Sequence, residues 1–150
     1  MKQKYNLPCN IAQTLNIIGD RWTLLMIHEI MIGNNTFNEI KRALNGISAN
    51  VLSERLKLIE SQGLIQSELY SEHPPRYKYT LTKSGEDLEH TLHALVIWGA
   101  SHLDPCYKKL VNSKTGEEVK LAYYSTTTGE IVHVVKAISI DEDSIEILQD

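Results

Sequence analysis

The chain has 150 residues, 42% of them apolar and 23% charged. This is an ordinary globular composition with room for one core, and it excludes a disordered or low-complexity chain. A formal net charge of -4 excludes a uniformly basic nucleic-acid binder.

The charge is unevenly spread. Residues 1–104 carry 10 Lys/Arg against 11 Asp/Glu, and residues 105–150 carry 5 against 8. A near-neutral module binds DNA when its cations share one face, because phosphate contacts are local. No apolar run approaches the roughly 18 residues of a membrane helix. "MKQKYNLPCN" has no apolar signal-peptide core, so the expected location is cytoplasmic, on the nucleoid if the chain binds DNA, with no membrane partner. Cys9 and Cys106 read as reduced thiols. No Cys/His set has finger or ribbon spacing, so neither a metal nor another cofactor is expected.

In chain order, "NIAQTLNII" places Ile11, Leu15 and Ile18 on one helical stripe, which Gly19 and Asp20 end. "RWTLLMIHEIMI" is apolar enough for a helix buried on most sides. "TFNEIKRAL" opens with Thr36 and has Glu39 three residues later, the capping-box spacing, and predicts a short helix. Ser48 is a predicted N-cap for the next helix, in which Leu52, Leu56 and Ile59 face a core and Gly63 provides the stop. Asn50, Ser53, Glu54 and Lys57 lie on its other side.

The period then changes. "LIQSELY" and "RYKYTLT" flank "SEHPP" and predict a two-stranded hairpin, with Arg76 and Lys78 on one side of the second strand. Pro74 and Pro75 fit only its loop or rim. Thr82 caps a predicted long helix over residues 83–102, with a stripe through Leu88, Leu92, Leu95 or Val96, Gly99 and Leu103. Beyond Asp104, "KKLVNSKTGEEVKLAYYSTTTGEIVHVVKAISI" predicts three or four short strands. The fold class expected is mainly α with a β-hairpin wing (α+β). Residues 1–104 form a winged helix-turn-helix, and residues 105–150 a β-rich extension packed on it or on a partner subunit.

In that geometry the helix after Ser48 is the recognition helix, and short polar side chains near its start reach base edges. The same Ser/Asn/Glu/Lys face also suits a helix that merely meets solvent, and charged Arg76 and Lys78 also suit a soluble edge strand. The stripes of the first and last helices serve either as dimer surfaces or to close one monomer's core. No phosphate loop, His-x-x-x-His pair or nucleophile elbow supports catalysis. His90 and His93 are three residues apart on a helix, a spacing commoner on solvated faces than in metal sites.

Several separated pieces resemble the HxlR family of bacterial winged-helix transcriptional regulators, over Leu7 to His102. They are Gly19 and Trp22, Phe37-Asn38-Glu39, Ile47-Ser48, Leu52-Ser53 with Arg55-Leu56, Gly63-Leu64, Pro74-Pro75-Arg76 with Tyr79, and Trp98-Gly99. The resemblance implies a homodimer on an inverted-repeat operator in double-stranded DNA, and no enzymatic activity. It implies DNA contacts from Ser48, Asn50, Ser53 and Arg55 on the recognition helix and from Arg76 on the wing. Lys57 and Lys78 extend these two faces. It also implies a dimer interface from the first and last helices, through Ile11, Leu15, Ile18, Leu92, Leu95, Val96 and Gly99. Cys9 matches a position that senses oxidants or electrophiles in some relatives and is a candidate thiol sensor.

Ala49-Asn50 departs from the Pro-Lys common in the family. That departure and the acidic tail keep a second class open, a dimerisation or protein-interaction module that does not bind DNA. A sensor for an unidentified small-molecule effector is a third.

Overall fold

A computed structural model describes residues 4–138. The chain divides into two compact units, Met1–Lys108 and Lys109–Asp150.

The first unit opens with α1 (Asn10–Ile18). Residues ahead of it fold back along the helix: the Tyr5 N–H donates to Asn16 Oδ1, and the Gln13 amide donates to the Leu7 carbonyl, both at 2.8 Å. α2 (Thr23–Met31) buries Met26, Ile27 and Ile30, as its apolar sequence requires. α3 (Phe37–Ala43) starts with both halves of the capping box. Glu39 N–H donates to Thr36 Oγ1 at 3.4 Å, and Thr36 N–H donates to Glu39 Oε2 at 2.9 Å. α4 (Ala49–Ser61) follows Ser48 and buries Leu52, Leu56 and Ile59 against Ile27 and Ile40 in one core cluster.

β1 (Ile65–Glu72) and β2 (Pro75–Leu81) form the antiparallel hairpin, with Ile65 opposite Leu81 and a bulge between Leu69 and Ser71. Ile65 is buried, and Tyr79 and Leu81 pack on the core. One pairing was not anticipated. The Tyr79 N–H donates to the Asn35 carbonyl at 2.7 Å and Thr36 bridges Lys78, so the residues just before α3 act as a third, very short strand.

The predicted long helix is broken. α5 (Lys83–Glu86) and α6 (Glu89–His102) are separated at Asp87 and Leu88, where the Leu88 N–H bonds to the Gly85 carbonyl, one residue short of the α-helical spacing. Gly85 is buried against the chain after α4. A Cβ there would lie 2.1 Å from the Leu64 carbonyl oxygen, so only glycine permits the approach. Thr82 fastens the same junction, its hydroxyl donating to Gly63 O at 2.5 Å and its N–H to Leu64 O at 3.0 Å.

The second unit is less regular than predicted. Among the described residues its strands are β3 (Tyr123–Tyr124) and β4 (Ile131–Val132), with one bridge between Val111 and Glu118. The run from Ser139 onward lies outside the described residues. Tight turns dominate instead, and they repeat. The Gly116 and Gly129 N–H groups donate to Asn112 and Ser125 carbonyls, and the Glu117 and Glu130 N–H groups each donate to the threonine two residues earlier. "NSKTGE" and "STTTGE" build one turn twice, each closed by polar contacts rather than by buried side chains.

Candidate nucleic-acid interface

Two local devices set α4. Ser48 is extended (φ -78°, ψ 154°), and its Oγ accepts from the Val51 N–H at 3.2 Å. At the other end Gly63, at φ +71°, allows a left-handed turn that reverses the chain. There the Gly63 N–H donates to Glu60 O and the Leu64 N–H to Ile59 O, both at 2.9 Å. Glu60 then ties the helix to the hairpin, accepting from the Ser67 N–H at 2.9 Å and its hydroxyl at 2.6 Å.

With Leu52, Leu56 and Ile59 buried, the opposite side of α4 is open. Asn50, Glu54 and Lys57 are exposed, and Ser53 is half-buried. Glu54 forms no ion pair with Arg55 or Lys57 among the described residues. On the wing Arg76 stands opposite Ser71, and Lys78 opposite Glu68. Arg76 and Lys78 are exposed on the strand face opposite Tyr79 and Leu81, as two-residue alternation requires.

Arg55 does not join this face. It sits three residues after Leu52 and next to Leu56, which places it at the margin of the buried stripe. Its Nη1 lies 3.5 Å from Asp20 Oδ2, and the Asp20 side chain is only 9% exposed. Helical spacing held that signal, since 52, 55, 56 and 59 form a single i, i+3, i+4, i+7 row.

The stripes of α1 and α6 also divide. Ile18 and Leu92 belong to the core of their own unit. Ile11, Leu15 and Leu95 are exposed, together with Trp98, which the stripe had not included. Val96 and Gly99 are half-buried. A groove of about 360 Å³ runs between α2 and α6, lined by Leu24, Leu25, Leu95, Val96 and Leu103 with His28 at its edge. Cys9 is exposed as the N-cap of α1. The Arg21 guanidinium lies 5.0 Å over the Trp22 ring. His93 lies 4.0 Å from Glu89, and no group of three metal-binding side chains occurs among the described residues. No helix among them is long and apolar enough to cross a membrane.

A family model described as HxlR-like helix-turn-helix matches residues 17–107. The chain belongs to this HxlR family. Within the family's neighbourhood it is 32% identical over 106 residues to YtcD of Bacillus subtilis, described as an uncharacterized HTH-type transcriptional regulator; the match covers 71% of this chain and 82% of YtcD. The crystal structure of the transcription-factor candidate PA1607 is similar with a TM-score of 0.74 at 26% identity, covering 91% of this chain and 97% of that one. The redox regulator HypR in its oxidized form is similar with a TM-score of 0.58 at 31% identity, covering 64% and 99%. This HxlR chain is therefore a DNA-binding transcriptional regulator of winged helix-turn-helix fold, its family and the relatives named above being transcriptional regulators rather than enzymes.

Proposed function

We propose that the protein acts as a homodimer on an inverted-repeat operator, with α4 of each copy in the major groove and the β1–β2 wing on the backbone. The observation that carries this reading is the open side of α4. Asn50, Ser53 and Lys57 have no side-chain partner among the described residues, while the helix itself is clamped at both ends and along its apolar side. A rigid helix with free, short polar side chains meets the requirement for reading base edges. Asn50 suits adenine, Ser53 a base or phosphate, and Lys57 the backbone. Ser48 and the first-turn N–H groups of α4 suit a phosphate, and Arg76 and Lys78 the phosphates beside the wing.

Exposed Ile11 and Leu15 on α1 and Leu95 and Trp98 on α6 support the homodimer. Helices that leave large apolar side chains in water are the surfaces a second copy covers. The proposal is tested by binding to a duplex that the wild-type protein selects from a random pool. Asn50→Ala and Ser53→Ala are expected to weaken that binding, with much smaller effects on random DNA. If neither weakens it, the reading face is misassigned.

A second reading concerns control. Cys9 is exposed at the start of α1, on the helix that carries Ile11 and Leu15, and HypR is a redox regulator. Oxidation there would place charge or bulk beside the proposed dimer surface. The expected result is that hydrogen peroxide, which oxidises the thiol to a sulfenic or sulfinic acid and is itself reduced to water, weakens duplex binding in the wild type and leaves Cys9→Ser unaffected; equal loss in both would reject a role for Cys9.

A further inference from the structure

We infer that Asp20 and Arg55 form a positioning pair that sets the recognition helix on the α1–α2 corner, so that Arg55 acts on DNA binding through Asp20 and not by touching DNA. The inference rests on the DNA reading of α4 given above.

Asp20 is held from its own segment. Its Oδ1 accepts from the Trp22 N–H at 2.8 Å and from the Thr23 N–H at 3.2 Å, and its Oδ2 accepts from the hydroxyl of Thr23, which is fully buried. The carboxylate therefore cannot swing, and it presents Oδ2 to Arg55 at 3.5 Å. Arg55 lies near the middle of α4, between the buried Leu52 and Ile59. Asp20 directly follows Gly19, the C-cap of α1. The pair thus bridges the end of the helix that carries Ile11 and Leu15 to the helix that carries Asn50 and Ser53. Apolar packing alone permits small slides and rolls of a helix. An ion pair with a fixed, largely buried carboxylate draws the guanidinium to one point and opposes them.

The chemistry also argues against Arg55 as a phosphate ligand. To reach DNA it would have to leave a carboxylate that is nine-tenths buried, stranding that charge without its partner.

The experiment uses the full chain, the duplex selected by the wild type and a random-sequence duplex of equal length. Asp20→Asn keeps the Oδ1 acceptor for the Trp22 and Thr23 N–H groups and removes the charge, which by itself would favour DNA. Positioning predicts the opposite sign: specific binding falls, on the order of ten-fold, while random-duplex binding does not fall. Arg55→Gln is expected to lose a similar factor with the salt dependence of binding unchanged, and the double variant to bind no worse than either single one. Arg55→Lys keeps a cation near Asp20 and is expected to recover part of the loss. Should Asp20→Asn fail to fold, the Arg55 variants decide alone. A salt slope lower by about one in Arg55→Gln would identify a lost phosphate contact and overturn the inference. Wild-type or tighter specific binding by Asp20→Asn would overturn it too. Failure of the wild type to select any duplex would overturn the DNA reading itself, and the inference with it.

Discussion

Glu39 shows how one side chain makes a fold sensitive to pH. Its carboxylate accepts from the Thr36 hydroxyl at 2.8 Å and from the N–H groups of Thr36 and Asn35. The bonds from Thr36, then that from Asn35 and the charge of Arg42, hold its pKa below the ordinary value of 4.5. A depressed carboxylate stabilises the fold above its unfolded pKa and loses that contribution as pH falls through the folded one. Glu39→Gln is therefore expected to unfold at lower urea than the wild type at pH 7, with the gap closing below about pH 4.5. A gap unchanged at pH 3 would mean that the carboxylate's charge is not responsible. At the same scale, Asn50→Ala is expected to cost about 1–3 kcal/mol on the selected duplex, because a lost base contact is lost only where that base occurs. Arg76→Ala should instead weaken binding to all sequences alike and lower the salt slope by about 1. Equal effects of the two substitutions on both duplexes would contradict the division between base reading and backbone contact.

Among the elements, those specified by local chemistry were legible in the sequence. Thr36 with Glu39, Ser48 with its Leu52/Leu56/Ile59 stripe, and Thr82 announced their helices, and Tyr79 and Leu81 their strand. The features that escaped depend on contacts between distant segments. The close approach of Gly85 to the Leu64 carbonyl, just ahead of the break at Asp87 and Leu88, and the Asn35–Tyr79 pairing each join segments far apart in the chain. Arg55 fell between the two classes, its place given by helical spacing but its partner only by the fold. Gly85→Ala is expected to destabilise the protein by about 1–3 kcal/mol or more, read as a lower urea midpoint. There is no room for a methyl group against a backbone oxygen, and an unchanged midpoint would mean that this junction yields easily. The short strands predicted beyond Asp104 were overestimated for a related reason. Val, Ile and Tyr there are mostly exposed, so β-forming composition was not matched by a buried face.

The whole molecule has more apolar surface on α1 and α6 than the core of one copy uses. Ile11 is 72% exposed and Trp98 58%, while Ile18 and Leu92 on the same helices are buried. The sequence marked both stripes but could not divide them, because a residue turned to its own core and one turned to a second copy have the same composition. The proposed dimer is expected to become a folded monomer in Leu15→Glu with Trp98→Glu, read by sedimentation at micromolar concentration. A dimer that survives both substitutions would place the interface elsewhere. The central claim is that two copies present α4 symmetrically to DNA, and selection of duplexes from a fully random pool by the wild-type protein tests it most directly. The account predicts enriched sequences with two inverted half-sites whose centres lie about 10 base pairs, or a multiple of that, apart. A pool that shows no enrichment, or a single site without two-fold symmetry, would contradict it.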